Sequence, residues 1–175
     1  MGDLISTLIS FLEAASPFIY VLGTCLMVII LCMQTRIVRR QYELQKMMYF
    51  DKIANYLASY LIIVREAINR FEDSAAILSI MLRPECPEAE GEFGLYLTYA
   101  EQTLGREAKN KLWRVFNEIH DFAVKKQKIP LELKNEAVKV VNDLINELPK
   151  KYAIMPSSLT PIACLKKLEK HGRII

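Results

Sequence analysis

Pro17–Met33 reads PFIYVLGTCLMVIILCM, and this stretch decides how the rest of the chain is read. From Ala14 to Thr35 the only ionisable groups are Tyr20 and the thiols Cys25 and Cys32. A helix needs about 20 mainly apolar residues to cross a hydrocarbon core about 30 Å thick. A basic or acidic side chain at the centre of such a span would cost about 2.5–3.5 kcal/mol, and this run carries none. The expectation is a transmembrane anchor over residues 14–35. No charge falls inside the span to mark an ion pathway, and Gly23 stands alone, without the second glycine of a close-packed helix pair.

The flanks orient the span. Asp3 and Glu13 come before it, and Arg36, Arg39 and Arg40 follow at once. Basic residues stay on the cytoplasmic side, so the expected topology is single-pass, N-terminus outside and C-terminal domain in the cytoplasm. A cleaved signal sequence would start basic and end in small residues. Here the small residues Ala14, Ala15 and Ser16 precede the apolar run, which points to an uncleaved anchor. Gly2 and Ser6 fit an N-myristoylation pattern, which would hold the N-terminus in the cytoplasm against the charge bias. The charge bias is the reading adopted. Residues 1–13 form an amphipathic segment, with Leu4, Ile5, Leu8, Ile9 and Leu12 at helical spacing. It either lies on the membrane or begins a helix bent at Pro17.

Between Gly23 and Pro84 there is neither glycine nor proline for 60 residues, a strong signal for helix continuation. An apolar 4–3 repeat runs Met47, Phe50, Ala54, Leu57, Leu61, Val64, Ile68, Phe71, Ala75, Leu78, Leu82. The spacing predicts one long heptad-bearing helix over 36–82, continuous with the anchor and about 70 Å long at 1.5 Å per residue. Asp73-Ser74 has the chemistry of a helix N-cap and is the one place where it would break. The seam, with Leu57, Leu61, Val64, Ile68 and Phe71 at its centre, has two uses. It packs on the chain's own later helices, or it pairs with another copy as a coiled coil. Ile53, Tyr56, Tyr60, Ile62 and Ile63 widen the stripe beyond a two-stranded seam, which favours packing within the chain.

Residues 83–94 read as an acidic loop, broken by Pro84 and Pro87 and carrying Glu85, Glu88, Glu90, Glu92 and Cys86. The carboxylates lack the ordered spacing of a calcium loop. Residues 95–175 hold the remaining helices. A second helix is expected over Leu95–Lys128, burying Leu97, Ala100, Leu104, Ala108, Leu112, Val115, Ile119 and Phe122, with Trp113 read as core. A third runs from Leu133 to Pro149, and a short fourth starts at Thr160-Pro161 and is capped by Gly172. The fold class is all-α: a single N-terminal transmembrane helix continuing into a cytoplasmic helical bundle.

Composition agrees. The chain is 52% hydrophobic and 25% charged with few glycines and prolines, which excludes disorder and a turn-rich β fold. Four cysteines (Cys25, Cys32, Cys86, Cys164) form no C-x-x-C pair and no disulfide framework. Residues 34–149 are balanced in charge, while the last 26 residues carry six basic groups against Glu169. Of these, Lys166, Lys167, Lys170 and Arg173 are candidate contacts for lipid headgroups or phosphate. Apart from Tyr152 the basic groups lack interleaved aromatics, so nucleic acid is not the expected partner.

No phosphate-binding glycine loop or nucleophile elbow is present. His120 and His171 are the only histidines, and His120, beside Asp121, reads as a surface residue. No catalytic residue, metal ligand, cofactor or small-molecule substrate is therefore expected, and the chain is not read as an enzyme. The expectation is a membrane-anchored interaction module, a scaffold or adaptor whose partners are the lipid bilayer and either a second copy or a cytoplasmic protein. The alternative is a membrane-perturbing effector, such as a toxin or defence protein, acting through oligomers of its anchor.

Overall fold

The computed structural model describes residues 2–84 and 91–155. It is all helical, and no β-strand occurs among the described residues. The elements are α1 (Gly2–Arg70), α2 (Ser74–Leu82), α3 (Phe93–Leu104), α4 (Arg106–Val124) and α5 (Leu131–Glu147), with a 3-10 turn at Leu148–Lys150. The chain divides into two units, Met1–Met47 and Met48–Ile175, and α1 contributes to both.

The first unit is the N-terminal part of α1. Leu4–Leu12 belongs to the same helix as the apolar run, and Pro17 lies inside it. Proline has no N–H, so the Glu13 carbonyl loses its usual donor there.

In the second unit the part of α1 from Ile53 to Ile68 is the central element. Leu57 to Val64 are eight successive residues without an exposed member, and a helix apolar and buried on all sides has neighbours on all sides. Tyr60 shows how these meet. Its ring stacks on Tyr96 of α3 with centroids 3.8 Å apart and 8° between planes. Its hydroxyl donates to the Met81 carbonyl of α2 at 2.9 Å. Burial, and next the neighbouring Tyr96, push the Tyr60 phenol well above its ordinary pKa. On another side Arg65 donates to Asn142 Oδ1 of α5 at 3.4 Å. After the 3-10 turn the chain returns to α1: Asp51 and Asn55 accept from the Ala153 and Met155 amides, and Asn55 donates to the Ala153 carbonyl at 2.9 Å. Tyr152 stacks on Phe50 and donates to the Thr103 carbonyl of α3.

The expected helix over 36–82 is corrected: it stops at Arg70, and α2 starts afresh at Ser74. Asp73 turns extended, and its carboxylate accepts from the Ala75 amide at 3.1 Å, so a residue that caps a new helix ends the old one. The carbonyls freed at this end find donors across the unit. Phe71 accepts from the Lys134 ammonium and Glu72 from the Ile129 amide, while Glu72 and Lys128 pair at 2.7 Å. The break also shifts the phase. The buried set of α2 is Ser74, Ile77 and Met81, one position before the expected Ala75, Leu78 and Leu82. The helix ends at Leu82 because Arg83 precedes Pro84, whose ring forces it to an extended conformation.

A second correction concerns the helix expected over Leu95–Lys128. It is two helices, α3 and α4, divided at Gly105. Gly105 has φ +98°, a backbone state that only glycine adopts without strain, and its amide donates to the Ala100 and Glu101 carbonyls. The predicted phase survives in α4, which buries Ala108, Leu112, Val115 and Ile119. In α3 it is met in part: Ala100 is buried and Leu97 and Leu104 are partly so, while Phe93, Tyr96 and Thr103 are buried beside them. Helix α4 closes with Lys126 at φ +52°, where the Lys126 and Gln127 amides donate back to Ala123 and Phe122. In the third helix Ala137, Val141, Leu144 and Leu148 are buried, and Leu133 is partly buried against the same core.

Candidate functional site: an exposed apolar helix and its arginine flank

One helix among the described residues, α1, is long and apolar enough to cross a membrane, and none of its most apolar window is buried. From Phe18 to Met33 the large apolar side chains are 48–75% exposed. A soluble monomer rarely exposes a contiguous apolar patch of more than a few hundred Å². The 22 residues from Ala14 to Thr35 rise about 33 Å at 1.5 Å per residue, against a hydrocarbon core of about 30 Å.

Several hydroxyls of this helix bond its own backbone. Thr24 Oγ1 donates to the Tyr20 carbonyl and Thr35 Oγ1 to the Leu31 carbonyl, both at 2.8 Å. Nearer the N-terminus Thr7 Oγ1 donates to Asp3, and the Ser6 and Ser10 hydroxyls donate to Asp3 and Thr7. A hydroxyl that bonds a carbonyl four residues back needs no water, which is the condition hydrocarbon imposes. Cys25 and Cys32 are free, exposed thiols seven residues apart on one side of this helix.

The flank follows in the next turn. Arg36, Arg39 and Arg40 are exposed. Arg39 Nε lies 3.7 Å from Glu43 Oε1, with both side chains largely in solvent. Arg36 and Arg40 have no ion-pair partner among the described residues.

The predicted association seam lies elsewhere. Leu57, Leu61, Val64 and Ile68 are fully buried and Phe71 nearly so, all within one apolar core of the second unit. In this structure the seam is covered by the chain's own helices. Lys166, Lys167, Lys170 and Arg173, together with Cys86, Cys164, Ser157, Ser158, His171 and the fourth helix, lie outside the described residues.

An aromatic row lies on α4. Trp113, read as core, is 47% exposed. It stacks on Phe93 and Phe116 at 6.0 and 5.6 Å, and Phe116 stacks on His120 at 6.0 Å. This row was legible in principle from the spacing 113, 116, 120 on one helix face. Whether it was covered depended on what packs against α4. His120 is half exposed, with Nδ1 3.9 Å from the Asp121 carboxylate. No three His, Cys, Asp or Glu side chains among the described residues group as metal ligands. Elsewhere Glu107 and Lys111, four residues apart on α4, pair on the surface at 2.8 Å, which lowers the pKa of the carboxyl and raises that of the ammonium.

No protein-family model matches the chain, and neither curated proteins nor solved structures include a detectable match.

Proposed function

We propose that the chain is a membrane-anchored helical interaction module. In this reading residues 14–35 cross the bilayer once, and the arginine flank lies on the cytoplasmic side. The second unit is presented there to a protein partner, with the Trp113–Phe116–His120 row, half exposed at Trp113 and His120, as an aromatic surface for it. The observation that carries the reading is the exposed apolar helix. Its length matches the hydrocarbon core, it lacks charge, and its Thr24 and Thr35 hydroxyls are satisfied by its own backbone. Lipid is the cover that suits all three properties. The buried seam supports a role for the rest of α1 as scaffold rather than as a self-pairing strand.

The test uses the thiols of the span in the full chain, with Cys86 and Cys164 replaced by Ser. In intact membranes Cys25 and Cys32 are expected to resist a membrane-impermeant maleimide and an alkaline wash to leave the chain in the pellet. Detergent should then expose both thiols. Full labelling without detergent, or release by alkali, would refute the anchor. A chain that stays monomeric in mild detergent and gives no crosslinked species in cells would refute the interaction role.

A further inference from the structure

We propose that Arg36, Arg39 and Arg40 form a binding site for the phosphate of an anionic phospholipid in the cytoplasmic leaflet; the proposal rests on the anchor reading above. The apolar run ends at Thr35, and from Arg36 to Arg40 the axis rises about 6 Å. The headgroup layer on each side of a bilayer is about 5–7 Å thick, the difference between its hydrocarbon and total thickness shared between two faces. All three guanidinium groups therefore fall at the level of the lipid phosphates. Lys46, the next basic residue, lies about 15 Å beyond Arg36 and so outside that layer.

At 3.6 residues per turn, positions 36, 39 and 40 share an arc of about 100°, so the three side chains converge on one sector of the bilayer. Ile37 and Val38, both exposed, occupy the other side of the helix. They hold this turn at the hydrocarbon boundary, and the arginine stems extend outward along it with their charged ends in the headgroups.

A guanidinium donates two parallel hydrogen bonds to phosphate oxygens, and arginine is suited to that geometry where lysine offers a point charge. Glu43 shares only Arg39, at 3.7 Å. Thr35 is turned back to Leu31 and does not compete. Arg36 and Arg40 are left for the ligand. A net positive cluster beside a span attracts anionic lipid at up to about fivefold for each basic group at the surface.

The experiment reconstitutes the full chain in phosphatidylcholine vesicles containing a small fraction of spin-labelled phosphatidylglycerol or spin-labelled phosphatidylcholine. The fraction of label immobilised by the protein gives the relative association. The expected result is a preference for phosphatidylglycerol of about fivefold or more, weakened by salt. It should fall to near unity in Arg36→Gln/Arg39→Gln/Arg40→Gln and stay unchanged in Lys46→Gln. Equal association of the two lipids with the wild-type chain would overturn the proposal. So would a loss in Lys46→Gln as large as that in Arg40→Gln, because it would mean diffuse attraction rather than a site. An alkaline wash of the same vesicles separates the two failures. A chain that stays in the pellet without lipid preference lacks only the arginine site, whereas a chain that washes out has no anchor.

Discussion

Replacing Tyr60 by Phe tests the central packing of the second unit with the smallest change. The substitution keeps the ring that stacks on Tyr96 and removes only the hydroxyl that donates to the Met81 carbonyl at 2.9 Å. Met81 lies in the last turn of α2, where carbonyls have no donor within the helix. The change therefore strands a buried acceptor. A neutral hydrogen bond contributes about 1 kcal/mol net, and an unsatisfied buried group costs about 1–3 kcal/mol. The expected loss is thus about 1–2 kcal/mol, read as a shift of about 1 M in the urea midpoint of the full chain in mild detergent. Tyr60→Ala would add a cavity costing about 3–5 kcal/mol, which a domain of ordinary stability would barely survive.

The same hydroxyl gives the measurement a second axis. Burial, reinforced by Tyr96, holds the Tyr60 phenol well above the ordinary tyrosine pKa. The unfolded chain ionises it near pH 10. Above that pH the folded state keeps a proton that the unfolded state has lost. The contribution is full below pH 10 and declines as pH rises, by up to about 1.4 kcal/mol per pH unit. The Phe variant lacks this slope, so the stability gap between the two proteins should narrow above pH 10. An unchanged urea midpoint at neutral pH, or parallel curves from pH 9 to 11, would refute the assignment of Tyr60 as a buried donor.

Two backbone substitutions test the helix boundaries. Gly105→Ala is expected to destabilise the second unit by about 1–3 kcal/mol, because φ +98° excludes a side chain even though nothing lies within 4 Å of the added carbon. Gly105→Ser should lose a similar amount in urea unfolding, whereas a steric cause would make the larger residue worse. Lys126→Gly should stabilise by about 1 kcal/mol, since it relieves the left-handed conformation at φ +52°. A fall in the unfolding midpoint would count against that geometry.

The apolar helix was legible from Ala14–Thr35 because length, absence of charge and spacing are local properties of the chain. The seam was legible from Ala54 to Ile68 for the same reason: a 4–3 repeat stays in phase while one helix lasts. It lost phase beyond Phe71. Asp73 was a cap on paper, but whether it ended α1 depended on donors from Lys134 and Ile129, more than fifty residues away, for the carbonyls that the break releases. Gly105 was visible too, yet a lone glycine in an apolar pattern reads equally as a tolerated helix interior. Its positive φ follows from how α3 and α4 pack on the rest of the unit.

The sequence by itself determined that one helix near the N-terminus is apolar over a bilayer's thickness, that three arginines follow it, and that the remainder builds helices with buried faces. These depend on composition and period, which any conformation of the chain carries with it. Tertiary structure alone decided that the seam through Leu57–Ile68 is covered by the chain's own helices, that Tyr60 joins α2 and α3, and that Trp113 remains half exposed on α4. A side chain's burial depends on what packs over it, and spacing along one helix says which residues share a face but not which face finds a neighbour.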